Sequence, residues 1–131
     1  MAFDYDAALH RLHKREKERR NFYRSLYDEA LSDCEKILAL IESKYAPLRI
    51  YQWGSLLKRD QFRDYSDIDI AVEGLKSPAD FFALLADAEK LTNFPLDILQ
   101  WEKIEPEFRE HILLRGRMVY DRDAADRDRD S

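Results

Sequence analysis

The residues best placed to do chemistry are Asp67 and Asp69, which alternate with branched apolar residues in the run Ser66-Asp67-Ile68-Asp69-Ile70-Ala71-Val72. Period-two alternation predicts a β-strand over 66–72, with both acids on one face and Ile68, Ile70 and Val72 on the other. A buried aliphatic face would hold the strand in register, so the carboxylates would be presented rigidly at one spot. Hard oxygen ligands in this arrangement suit Mg²⁺, which takes one or two protein carboxylates and leaves its other positions to water and substrate phosphates. Upstream, Ile50-Tyr51-Gln52-Trp53 reads as a short strand running into Gly54-Ser55. Gly54 lacks the Cβ that would block close backbone approach, and Ser55 is suited to cap a following helix or to donate to a phosphate oxygen there.

Asp97 is a third candidate, the single acid in the apolar run Phe94-Pro95-Leu96-Asp97-Ile98-Leu99. An acid there costs stability unless it is solvated, paired or metal-bound, and the other reading is a buried salt bridge with an arginine. If its strand lies beside the 66–72 strand, three carboxylates converge near the Gly54-Ser55 cradle. Such a set can hold two Mg²⁺ ions roughly 4 Å apart, clamping the attacking and leaving oxygens of an in-line phosphoryl displacement. Nucleotidyl transfer is the chemistry implied.

The elements that must position these residues follow from the pattern. From about Asp4 to Lys44 there is no Pro or Gly, and Tyr23, Tyr27, Ala30, Cys34, Ile37 and Ile41 recur at helical spacing. That predicts one amphipathic helix whose second half packs on a core. Beyond Leu9 and Leu12 the stripe of its first half fades into charge, as expected of a projecting arm, a separate helix or a partner surface. A strand over 49–53 leads to a short helix near 56–61, a loop and the acidic strand. Ser77-Pro78 reads as an N-cap and first helical residue of a helix reaching about Leu91. A strand over 94–101 follows, then a helix opened by Pro106 with Gly116 at a left-handed C-terminal position, then a short strand Met118–Tyr120.

Domain boundaries expected on this basis are a helical extension over 1–46, an α/β (α+β) core over 47–120 with a small mixed sheet, and a disordered charged tail over 121–131. With 131 residues, 45% of them apolar, the chain has one domain's worth of core. No apolar run is long enough for a membrane span and no signal-peptide h-region opens the chain, so a cytoplasmic protein is expected. The single cysteine, Cys34, falls on the apolar helical stripe and reads as a small core residue.

Net charge is −5, yet residues 11–24 carry seven Lys/Arg against two Glu. That segment reads as a solvated helix face or a surface for an acidic partner. No aromatic lies among Arg11–Arg20, which argues against stacking on bases, and nucleic acid is not expected. His10 and His13 have helical spacing but no third ligand in sequence, and Trp53 and Trp101 could stack on a base or simply pack.

An apolar strand ending in Gly54-Ser55, a spacer of eleven residues, Asp67-x-Asp69 on the next strand and Asp97 on a later one together resemble the polymerase-β-like nucleotidyltransferases, and among them the minimal nucleotidyltransferases of prokaryotes. The resemblance covers about residues 48–120. It implies a nucleotidyltransferase fold, a catalytic and metal-binding triad of Asp67, Asp69 and Asp97, and two Mg²⁺ ions. ATP is the implied nucleotide, held by Gly54, Ser55, Lys58, Arg59 and Ser66. Members commonly have Ala-Arg-Gly after Gly-Ser, where this chain has Leu56-Leu57-Lys58-Arg59-Asp60, so Lys58 or Arg59 would take over the phosphate contact. Ser66 is also placed to support the turn into the strand. The resemblance further implies transfer of AMP to a hydroxyl, with a HEPN-type toxin as protein partner and this chain as its antitoxin. A homo-oligomer through the long helix, a non-catalytic nucleotide-binding or partner-binding module, and an aminoglycoside-type transferase are the competing readings.

Overall fold

The computed structural model describes residues 2–129. Helix α1 (Tyr5–Tyr45) is followed by strand β1 (Arg49–Trp53), two 3₁₀ turns (Ser55–Leu57 and Arg59–Gln61), strand β2 (Ile68–Glu73) and helix α2 (Pro78–Glu89). Strand β3 (Leu96–Gln100), a 3₁₀ turn (Trp101–Lys103), helix α3 (Pro106–Arg115), strand β4 (Arg117–Asp121) and helix α4 (Arg122–Arg129) complete the order. The four strands form one mixed sheet, β3-β2-β1-β4, with β2 and β3 parallel and the other pairs antiparallel. A parallel pair needs a crossover, and α2 supplies it, capped by the Ser77 side chain accepting from the Asp80 N–H at 3.2 Å.

One sheet face carries Ile50, Ile68, Ile70, Val72 and Ile98, all buried under α1 and α2. From α1 that core takes Ala30, Cys34, Ile37, Ile41 and Tyr45, so the helical stripe read from sequence is buried from Ala30 on, with Tyr45 added and Tyr23 and Tyr27 only half-buried. Burial pushes the Cys34 thiol up to about 11, as befits a core side chain. Gln52, on β1, is the polar intruder: its Nε2 is buried and finds no partner among the described residues. Residues 9–22 of α1 are exposed throughout. The helix ends at Tyr45, within the expected extension over 1–46, but its C-terminal half lies inside the core and its N-terminal half is an arm. No helix among the described residues is long and apolar enough to cross a membrane.

Three local expectations are corrected. Residues 56–61 form two 3₁₀ turns and no α-helix, because Leu56 and Phe62 must both reach the core across a few residues. Gly116 is extended (φ −99°, ψ −160°); its lack of a Cβ serves a close approach, since a Cβ would run into the Gln52 and Ile112 carbonyl oxygens. The expected disordered tail instead carries β4 through Asp121 and α4 to Arg129, with Asp130 and Ser131 outside the described residues. The Asp121 carboxylate accepts from the Asp123 N–H at 3.0 Å, and Arg122 donates to the Ala46 carbonyl at 3.0 Å. Charge alone reads as disorder, but a cap and a tie to the end of α1 order the segment.

The division of α1 predicts a matching division of stability. Ile37→Ala should cost about 2–5 kcal/mol in denaturant unfolding, the range for emptying a buried aliphatic position. Arg15→Ala, on the exposed arm, should stay within about 0.5 kcal/mol of the parent.

Candidate active site

The face of the sheet opposite α1 and α2 presents the acids. In the β2–β3 ladder Asp69 pairs with Asp97, and in the β1–β2 ladder Trp53 pairs with Asp69. Parallel neighbours in register put the Asp69 and Asp97 carboxylates on the same face of adjacent strands. The start of that register is held by the Ile68 N–H donating to the Pro95 carbonyl at 2.9 Å. Asp67 precedes β2, exposed in the entering loop.

Electrostatics tie the three together. Burial, then Asp97 and then Asp67 push the Asp69 carboxyl up to about 7. Burial and then Asp67 raise Asp97 as well. Like charges brought together in a half-buried site disfavour ionisation, and a bound cation reverses that preference. As they stand, no three His, Cys, Asp or Glu side chains among the described residues are gathered tightly enough to hold a metal ion. The fit to Mg²⁺ rests on the chemistry of the donors, uncompensated carboxylates without a cationic side chain among the causes of their shifts.

Gly54 makes room for the Asp69 carboxylate. Its backbone (φ +88°, ψ −168°) lies where only glycine is comfortable, and a Cβ built there would overlap the Asp69 carboxylate. Glycine here serves Asp69 directly, a role beyond that of the phosphate cradle expected from sequence. Ser55 opens the first 3₁₀ turn, partly exposed, so any phosphate contact comes from its hydroxyl and loop N–H groups, since the turn is too short to supply a helix end.

The remaining candidates divide. Lys58 is exposed between the two turns. Arg59 leans toward α1, its guanidinium 5.8 Å from the centre of the Tyr27 ring. Ser66 is buried and its Oγ accepts from the Arg63 N–H at 2.9 Å, so it closes the turn before β2. Trp53 and Trp101 are packed: Trp101 stacks on Tyr51 with centroids 4.2 Å apart, and Trp53 meets Phe108 edge-on. Arg109 locks Trp101 in place by donating to its carbonyl at 3.0 Å. His10 and His13 are exposed on α1, and His111 stacks on Phe108. Sequence reasoning passed over Arg63, whose i, i+4 spacing from Arg59 was the available signal.

A polymerase beta nucleotidyltransferase family model matches residues 35–125, well over half of the chain, and the protein belongs to that family. No curated protein matches the chain. The mixed sheet with flanking helices is the family's α+β arrangement, and a nucleotidyltransferase-type activity follows.

The raised Asp69 carboxyl makes stability pH-dependent in a defined sense. Its folded pKa, about 7, exceeds the ordinary value of 3.8, so the folded state holds the proton more tightly. Its contribution is fully present below about pH 4 and is lost as pH rises to about 7. In metal-free buffer, Asp69→Asn should therefore raise the melting temperature at pH 8 relative to the parent, with the gain vanishing near pH 4. A pH-independent difference would contradict this account of Asp69.

Proposed function

We propose that the protein is a Mg²⁺-dependent nucleotidyltransferase that moves AMP from ATP to a hydroxyl of a partner protein, acting as the antitoxin of a HEPN-type toxin. The observation carrying the transfer chemistry is the Asp69–Asp97 ladder pair with the Asp69 carboxylate seated against Gly54. Adenosine, the protein acceptor and the toxin partner rest on the resemblance to minimal nucleotidyltransferases.

Asp67, Asp69 and Asp97 are the residues that would hold Mg²⁺. Bound there, the cation would supply charge neutralisation for phosphate oxygens, which side chains of one sign cannot. The chain's own groups do the rest. Loop N–H groups at Gly54-Ser55 and the Ser55 hydroxyl orient the triphosphate, and exposed Lys58 offers a mobile cation to its far end. Asp97, with its carboxyl raised, accepts the proton of the attacking hydroxyl. The acceptor oxygen bonds to the α-phosphorus as the α–β anhydride bond breaks and pyrophosphate leaves. A docked partner excludes water from the attack and fixes the hydroxyl in line.

Incubation with Mg²⁺, labelled ATP and a HEPN-type partner should add AMP to that partner, read as a mass shift. Asp67→Asn or Asp69→Asn should lower transfer by about a hundredfold or more, the scale of losing one preorganised electrostatic group. Gly54→Ala should do the same by evicting the Asp69 carboxylate. Asp97→Ala should reduce turnover more than ATP binding. Label appearing only on an aminoglycoside would overturn the protein-acceptor reading and leave the transferase reading standing, whereas undiminished transfer by the Asp67→Asn/Asp69→Asn variant would overturn the metal assignment.

A further inference from the structure

A second concave site lies where the arm of α1 leaves the core. A groove of about 540 Å³ is walled on one side by Arg19, Arg20, Tyr23 and Arg24 of α1, and on the other by Arg59 and Arg63 of the loop between β1 and β2. Two acids, Glu16 and Asp60, also line it, against five arginines. In a chain of net charge −5 such a concentration is not a product of composition. None of the five arginines is in an ion pair among the described residues.

Three of the arginines, Arg19, Arg59 and Arg63, lie with their guanidinium groups over tyrosine rings of α1. The Arg63 guanidinium lies 4.9 Å from the centre of the Tyr23 ring and that of Arg19 lies 5.7 Å from it, while Arg59 covers Tyr27 at 5.8 Å. Arg63 is fixed further by donating to the Asp60 and Phe62 carbonyls at 2.9 and 2.8 Å. Stacking on an aromatic face leaves the in-plane N–H donors of a guanidinium available to an anion. A planar carboxylate is satisfied by one fork in its own plane. Tetrahedral phosphates, whose oxygens point out of any one plane, suit forks arriving from two walls.

An exposed aromatic adjoins the groove through Tyr23. Phe22 is 54% exposed and meets edge-on, with centroids 5.4 Å apart, the Tyr23 ring that lines the groove. A positively charged trough beside an exposed aromatic platform is what an unpaired strand requires, its backbone in the trough and a base on the ring. The three α1 arginines and Phe22 lie outside the residues matched by the family model, while Arg59 and Arg63 lie within them. In sequence the basic run Arg11–Arg20 showed no interleaved aromatic; folding brings Arg59 and Arg63 to the groove from about forty residues away and places Tyr23 in its wall.

We propose that this groove binds the phosphodiester backbone of a single-stranded nucleic acid, with a base stacked on Phe22. The site is separate from the carboxylates, so the proposal stands or falls independently of the transfer reaction. Fluorescence anisotropy of a short labelled single-stranded RNA with the full chain, at several salt concentrations, tests it. Saturable binding that weakens with salt is expected. Arg19→Ala/Arg63→Ala should lower affinity about tenfold or more and reduce the slope of log K against log salt by about two. Phe22→Ala should lower affinity roughly fivefold or more. Asp67→Asn should bind like the parent, and all variants should melt within a few degrees of it. Absence of saturable binding, or indifference to the arginine and Phe22 substitutions, would overturn the proposal. Equally tight binding of inorganic triphosphate or of an acidic peptide would overturn it too, by assigning the groove to a small polyphosphate or to a protein segment.

Discussion

Parallel pairing of β2 with β3 in a single register is the constraint on which the site depends. It sets Asp69 directly beside Asp97, and like charges at adjacent positions of a sheet disfavour the pairing that brings them together. Compensation comes from the other face. Ile68, Ile70, Val72 and Ile98 are buried beneath α1 and α2, and a slip of one residue would turn all of them to solvent. The register is therefore enforced by aliphatic burial strong enough to override carboxylate repulsion. Local bonds pin the same alignment: Ile68 donates to Pro95, and Thr92, just before β3, donates to Asp33 of α1 at 2.7 Å.

The acid-bearing face is itself divided. Its far half is aromatic and closed: Tyr51 stacks on Trp101, Trp53 meets Phe108, and α3 lies over them. The Tyr51 hydroxyl donates to Glu73 at 3.1 Å, and Arg49 pairs with the same carboxylate, so the fourth acid on this face is neutralised by neighbours. Among the described residues Asp69 and Asp97 have no such partner. Gly116 lets α3 approach β1 closely enough to close the aromatic half, and Gly54 leaves room for the Asp69 carboxylate on the acidic half. Two glycines thus shape one surface, each through the space that a missing Cβ leaves.

How legible this was in the sequence differs residue by residue. The shared face of the acids on β2 and β3 was readable because strand periodicity is local and a lone acid in an apolar run is conspicuous. The α1 core stripe and the Ser77-Pro78 cap were readable for the same reason, since their cause lies within a few residues. What escaped was set by contacts distant in sequence. Gly116 does end α3, but its extended backbone was not readable because the constraint on it, the Gln52 carbonyl, lies on β1. The tail looked disordered because its tie to Ala46 is invisible in a run of alternating charges. Ser66, by contrast, read as a support of the turn into β2 more than as a substrate contact, and its hydroxyl accepts from the Arg63 N–H.

The loop between β1 and β2 carries the most consequence for its length. Leu56 and Phe62 are buried anchors at its ends, Phe62 packing edge-on against both Tyr27 of α1 and Phe94 before β3. Between the anchors the chain has room only for tight 3₁₀ turns, so its residues cannot move independently. Its N-terminal end, Gly54-Ser55, borders the carboxylates, and its later residues, Arg59 and Arg63, wall the basic groove. An anion that draws Arg59 or Arg63 away from the tyrosines of α1 acts on the same short segment that presents Ser55 and Lys58. By linkage, a ligand ordering that segment from either side changes the affinity of the other side by the same factor. Coupling between the two surfaces therefore needs no long pathway; it needs one loop pinned at both ends by the core.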